Sequence, residues 1–141
     1  DTETLAVHND ELQAMYKQVT ANEQMWEEYN CENAEYIITA FGTVARIAKS
    51  AINELKEKGI HVGLVRPITV WPFPYDAVAK AVNQPSVKAV LDVELNEGQM
   101  LEDVKLAVCG TKPIDFTGHC GSQMPTTDEI VEKILSMKEG K

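Results

Sequence analysis

The run from Tyr36 to Pro74, YIITAFGTVARIAKSAINELKEKGIHVGLVRPITVWPFP, leaves few folds open to this chain. Residues 36–41 are continuously apolar with β-branched side chains, the pattern of a parallel strand covered on both faces. Gly42 turns the chain, and Thr43 is placed to cap the helix that follows. Val44, Ile47, Ala48, Ala51, Ile52 and Leu55 then recur at helical spacing, leaving Arg46, Lys49, Glu54 and Lys58 for solvent. Gly59 stops the helix, and residues 61–65 form a second strand. Strand, helix and strand joined by tight turns make a βαβ unit, which sets the fold class as α/β.

The rest of the chain extends that unit. Pro74 opens a short helix with Ala77, Val78, Ala81 and Val82 on its inner face, and residues 87–93 read as a third strand. Met100, Leu101, Val104, Leu106, Ala107 and Val108 mark another helix, closed by Gly110, and residues 114–116 a fourth strand. Thr126 and Glu129 have capping-box spacing ahead of Ile130, Ile134 and Leu135. Upstream, Asn9 or Asp10 caps a first helix whose stripe is Leu12, Met15, Tyr16, Val19 and Trp26; residues 29–35 read as a polar connector. The expected organisation is a helical connector over 1–35 and an α/β domain over 36–141. Right-handed crossovers give a mainly parallel sheet of order 2-1-3-4, counting from the strand at Tyr36, inside a three-layer α/β/α sandwich. In that order a crevice opens at the carboxyl ends of the first and third strands. Gly42 and Thr43 stand on one rim, and Glu94, Asn96, Gly98 and Gln99 on the other.

Composition removes several classes of function. The 141 residues carry 22 acidic against 13 basic side chains, a formal charge of −9, whereas a nucleic-acid partner calls for a basic face. No apolar run is long enough to span a bilayer, and the opening residues DTET give no expectation of a signal peptide. The chain does not begin with Met, so the expectation is that its start was removed by processing or by division of a longer chain. The 3 cysteines, Cys31, Cys109 and Cys120, form neither a disulfide framework nor a CxxC metal pattern, which fits a reducing cytoplasm.

Each candidate site has a plain structural reading beside it. Gly42-Thr43 is either an anion-holding helix terminus or a capped turn, and it lacks the glycines of a nucleotide fingerprint. Glu94, Asn96, Glu97, Gln99, Glu102 and Asp103 allow a metal site or general base, or else a hydrogen-bond network. Glu94 ends an apolar strand and needs a partner, for which Arg66 is a candidate. The segment 66–74 either packs within the domain or presents Trp71 and Phe73 to another one. His119-Cys120 has no second ligand at metal spacing, and no GxSxG, HExxH or CxxC is present.

Taken together, Gly42-Thr43 with Arg46, Arg66-Pro67-Ile68 with Trp71-Pro72-Phe73-Pro74, and Glu94-Leu95-Asn96 with Gly98-Gln99-Met100 resemble the C-terminal part of the alpha subunit of 2-oxoacid:ferredoxin oxidoreductases. The 2-ketoisovalerate branch is the most similar. The opening HNDELQAMYKQ…WEEYNCENAEY also resembles the helical connector of that subunit. The resemblance implies a transketolase C-terminal-like domain. It implies an enzyme that oxidatively decarboxylates a 2-oxoacid with thiamine diphosphate and Mg, passes electrons through 4Fe-4S clusters to ferredoxin, and gives the acyl group to coenzyme A. The cofactors sit in other parts: a thiamine-binding domain of the same subunit, and beta and ferredoxin-like subunits. This chain is then a non-catalytic assembly domain that binds no cofactor itself. Two other readings stay open. One is a stand-alone module binding an anionic small molecule such as coenzyme A at Gly42, Thr43 and Gln99. The other is a flavodoxin-like or receiver-like domain, for which Phe41-Gly42-Thr43 supplies neither a phosphate loop nor an acidic cluster.

Overall fold

The computed structural model describes residues 2–140. Ten elements follow in order: α1 (Thr2–Asn22), β1 (Trp26–Tyr29), β2 (Tyr36–Thr39), α2 (Gly42–Glu57), β3 (Val62–Pro67), α3 (Tyr75–Val82), β4 (Ala89–Glu94), α4 (Gln99–Val108), β5 (Ile114–Gly118) and α5 (Thr127–Glu139). They build a 5-stranded sheet of order β1-β3-β2-β4-β5. β3, β2, β4 and β5 are parallel, in the order expected from the βαβ pattern.

Strand alternation sorts the core into two layers. Tyr36, Ile38, Leu64, Leu91 and Val93 face α2 and α5, where they meet Ala48, Ile52, Leu55, Ile130 and Ile134. Ile37, Val65 and Val90 face α3 and α4, and meet Val78, Val82, Val104 and Val108. Helices on both faces make β2 and β4 buried along their whole length. That explains their continuous apolar runs. The capping box forms: the Thr126 hydroxyl accepts from the Glu129 amide at 3.2 Å, and the Thr126 amide donates to the Glu129 carboxylate at 2.6 Å.

Two local expectations are corrected. The first helix begins at Thr2, ends at Asn22, and does not reach Trp26. Residues 26–29 instead form the antiparallel edge strand β1, with Trp26 opposite Pro67 and Glu27 opposite Arg66. Alternation explains the switch: Glu27 and Tyr29 turn inward while Trp26 and Glu28 stay exposed. The Ile68 and Thr69 amides both donate to the Met25 carbonyl, at 2.9 and 3.1 Å, which fixes where β1 begins. The second correction concerns Thr43. The cap position of α2 belongs to Phe41, and no side chain caps it. Gly42, at φ 58°, turns the chain so that Thr43 already lies inside the helix with its side chain in solvent.

The connector after β1 crosses the α3 side of the sheet because Gly63 has no side chain. A Cβ there would stand 2.7 Å from the Cys31 Cα and 3.0 Å from the Asn30 carbonyl oxygen. Cys31 is thereby pressed into the core, where its thiol donates to the Leu64 carbonyl at 3.1 Å. Burial pushes that thiol up to about 11, so it stays protonated and unreactive. Gly63→Ala is expected to destabilise the domain by about 1–3 kcal/mol, since the clash is with backbone. The measurement is a urea unfolding curve, and an unchanged midpoint contradicts this account of the crossing.

Candidate functional site

The carboxyl end of β4 carries a buried acidic pair. Asp92 and Glu94 are both fully buried, two residues apart on the face toward α3 and α4. Glu94 accepts from the Met100 amide at 2.9 Å, the Leu101 amide at 2.8 Å and the Asn96 side-chain amide at 2.9 Å. Two of these donors belong to the first turn of α4, where the helix dipole favours a negative charge. Asn96 in turn accepts from the Gly98 and Gln99 amides, at 2.7 and 2.8 Å. Gly98, at φ 98°, makes the turn that lets both amides point back. Glu94 and Asn96 thus spend their side chains in fastening β4 to α4.

Asp92 holds its neighbour in place. The Thr39 hydroxyl on β2 donates to Asp92 Oδ1 at 2.6 Å. Oδ2 meets no donor, and the group beside it is the Glu94 carboxyl, itself an acceptor. Only a proton between the two acids makes a bond there. Burial first, then the Glu94 carboxyl, push Asp92 up to about 8, against the Thr39 hydroxyl, which pulls the other way. Near neutral pH Asp92 therefore keeps its proton beside the Glu94 carboxyl. The signal for this was present in the sequence, as a lone Asp inside the apolar run VKAVLDVEL.

Arg66 does not serve Glu94. It follows Val65 on β3 and points to the α2 face, where its Nη1 donates to Glu27 Oε2 at 3.2 Å. Lys49 also donates to Glu27, and these two cations hold that carboxyl below its usual range, Lys49 foremost. Gly42, Ala45, Arg46, Lys49 and Arg66 line one cavity of about 130 Å³. No residue from 94–99 lines that cavity. The reading of Gln99 as half of a coenzyme A site meets an amide already donated to Asn96.

The segment 66–74 divides by burial. Phe73 is 2% exposed and sits in the core beneath α3, with Tyr75 edge-on at 5.0 Å. Trp71 is 62% exposed, and Ile68 and Val70 are also exposed. Tyr16 of α1 meets the Trp71 ring edge-on at 5.8 Å. Between them lies an open groove lined by Tyr16, Lys17, Thr20, Gln24, Trp71 and Asp76. Otherwise α1 is bare: none of its 21 residues is buried.

No metal-ligating set converges. Among the described residues, no three His, Cys, Asp or Glu side chains could hold one ion. Cys31 is buried, while Cys109 and Cys120 are exposed after α4 and β5. The residues described do not fit a 4Fe-4S cluster, nor the Mg that accompanies thiamine diphosphate. Among them, too, no helix is long and apolar enough to cross a membrane.

The doubly wound sheet with its switch point between β2 and β4 defines an α/β domain, and comparison with known proteins narrows this. Residues 34–130 match the pyruvate:ferredoxin oxidoreductase core domain II, and the chain belongs to that family. It is 34% identical over 134 residues to the ketoisovalerate oxidoreductase subunit VorB of Methanothermobacter thermautotrophicus, covering 95% of this chain and 37% of that protein. To the 2-oxoglutarate synthase subunit KorA of Methanothermobacter marburgensis it is 28% identical, over 76% of this chain and 28% of that one. The chain thus spans well under half the length of these relatives. A 2-oxoglutarate:ferredoxin oxidoreductase from Magnetococcus marinus shares the fold, with a TM-score of 0.72 and 20% identity over 85% of this chain and 21% of that one.

The acidic pair gives a pH signature. A raised acid pKa means that the folded state holds a proton the unfolded chain has released. Stability from Asp92 is therefore complete below pH 4 and is lost as pH climbs toward 8. Raising pH from 6 to 8 is expected to cost on the order of 2 kcal/mol from this group. Asp92→Asn keeps a donor toward Glu94 and an acceptor for Thr39. It should flatten that slope when urea midpoints are compared across the range.

Proposed function

We propose that this chain is the non-catalytic assembly domain of a 2-oxoacid:ferredoxin oxidoreductase of the 2-ketoisovalerate type. The observation that carries the reading is a complete hydrophobic core beside an uncovered apolar surface. Trp71, Val70 and Ile68 stand in solvent next to a helix with no buried residue. A 21-residue helix of mixed polarity has little stability of its own in water; packing on a neighbour supplies it. Similarity to VorB along 95% of the chain supports the branch, since the other relatives named above match over less.

In this reading residues 1–35 are the connector, with β1 closing the sheet edge, and 36–141 the core domain. The uncovered face meets the thiamine-binding domain of the same subunit, with beta and ferredoxin-like subunits completing the complex. Thiamine diphosphate, Mg and the 4Fe-4S clusters are held there. The complex works in the cytoplasm, decarboxylates the oxoacid, forms acyl-coenzyme A and reduces ferredoxin. This domain contributes rigidity and register. Its hydrogen-bonded 94–99 turn and buried Phe73 support that role better than chemistry.

The test separates the two aromatic residues. Ile68→Ser with Trp71→Ser is expected to leave domain stability within about 0.5 kcal/mol, as exposed positions do. The same pair should abolish co-purification of the remaining subunits on size-exclusion chromatography. Phe73→Ala should instead unfold the domain, at about 3–5 kcal/mol. Intact assembly by the double variant sinks the proposal.

A further inference from the structure

The rim of the switch point that belongs to α2 is open and cationic. Three of the five residues lining its cavity are Arg46, Lys49 and Arg66, in a chain of formal charge −9. With 13 bases against 22 acids, gathering three bases around one hollow runs against the composition. Among the described residues, none fills it. A Cβ on Gly42 would meet no atom within 4 Å, and no side chain caps the first turn of α2.

The cations are only partly neutralised. Glu27 bridges Lys49 and Arg66, but it takes a single nitrogen of the guanidinium, Nη1 at 3.2 Å. Arg66 Nε is buried and has no acceptor. Arg46 forms no ion pair among the described residues, and its side chain is exposed. A carboxylate, two guanidinium groups and an ammonium leave a local surplus of two positive charges. The Glu27 carboxylate itself reports what the place accepts, since Lys49 and Arg66 converge on an oxyanion there.

We propose that this hollow is a binding site for one phosphate-sized oxyanion, free phosphate or the terminal group of a phosphomonoester. About 130 Å³ accommodates a single such group and leaves no room for a nucleotide body. Arg46 and the Arg66 guanidinium donate from the sides, Lys49 adds charge, and the start of α2 at Gly42 closes the base. This site is distinct from the groove beside Trp71 and stands or falls independently of the assembly reading.

The test follows amide nitrogen–proton spectra of the full chain, with chloride exchanged for inorganic phosphate at constant ionic strength. Saturable shifts confined to Gly42, Thr43 and Val44, with a Kd of about 10 mM or tighter, are expected. Arg46→Gln, an exposed position, should weaken binding about tenfold with the remaining spectrum unchanged. Glu27→Gln, which frees Lys49 and Arg66, should tighten it. A parallel titration with phenyl phosphate separates the sources: tighter binding than phosphate assigns the site to an ester, and equal or weaker binding to the free ion. Shifts that fail to saturate, that chloride reproduces, or that neither variant changes overturn the proposal.

Discussion

A single buried carboxylate, Glu94, holds the carboxyl side of this sheet together. It closes a central strand, accepts from two amides of α4, and binds the Asn96 side chain that shapes the intervening turn. Taking such a charge out of water is costly unless donors surround it. Here helix amides and a proton on Asp92 supply them. The consequence reaches further than one strand end. α4 packs on α3, α3 covers Phe73 in the core, and Phe73 anchors the segment that exposes Trp71. Position on the uncovered face is thus referred back, through packed side chains, to the interior of β4.

Much of this was legible in the residues because the relevant signals are local. β2 and β4 announce themselves by continuous apolar runs, α2 by its stripe, and α5 by its capping box. Strand order followed from handedness and crossover length. What the residues hid depends on cross-strand pairing. Trp26 falls in step with the stripe of α1, and only pairing of Glu27 with Arg66 reveals that it belongs to a strand. The same pairing decided the fate of Arg66, which looked like a partner for Glu94 because both end strands. Alternation puts the two on opposite faces of the sheet. RPITVWPFP hid a different distinction: composition marks it as apolar, yet its bend sends Phe73 inward and Trp71 outward.

The two edges of the sheet are managed unequally. β1 is short, antiparallel and acidic, and its exposed Glu28 and the Glu27 ion pairs make it a poor template for further pairing. At the other end, β5 is half-buried throughout. The Phe116 amide is taken by the Asp115 side chain at 2.8 Å, and Lys133 of α5 reaches that same Asp115 at 2.9 Å. Edge pairing is therefore discouraged at both ends. The apolar surface left over lies on α1 and the 68–71 segment.

The same logic separates the two rims of the switch point. On the β4 rim the Glu94 and Asn96 side chains take the amides of Gly98, Gln99, Met100 and Leu101, which are the donors an incoming anion would need. An internal carboxylate already sits where α4 would bind one. On the β2 rim the arrangement is reversed. α2 begins with a bare turn, no acid caps it, and three bases line the hollow beside it. Glu27 approaches from β1, a strand outside the βαβ core, and satisfies only part of that charge. A doubly wound sheet offers two helix termini at its switch point, and this chain closes one of them with its own side chains. Any oxyanion that this domain takes up near the switch point must enter on the side of Arg46 and Arg66.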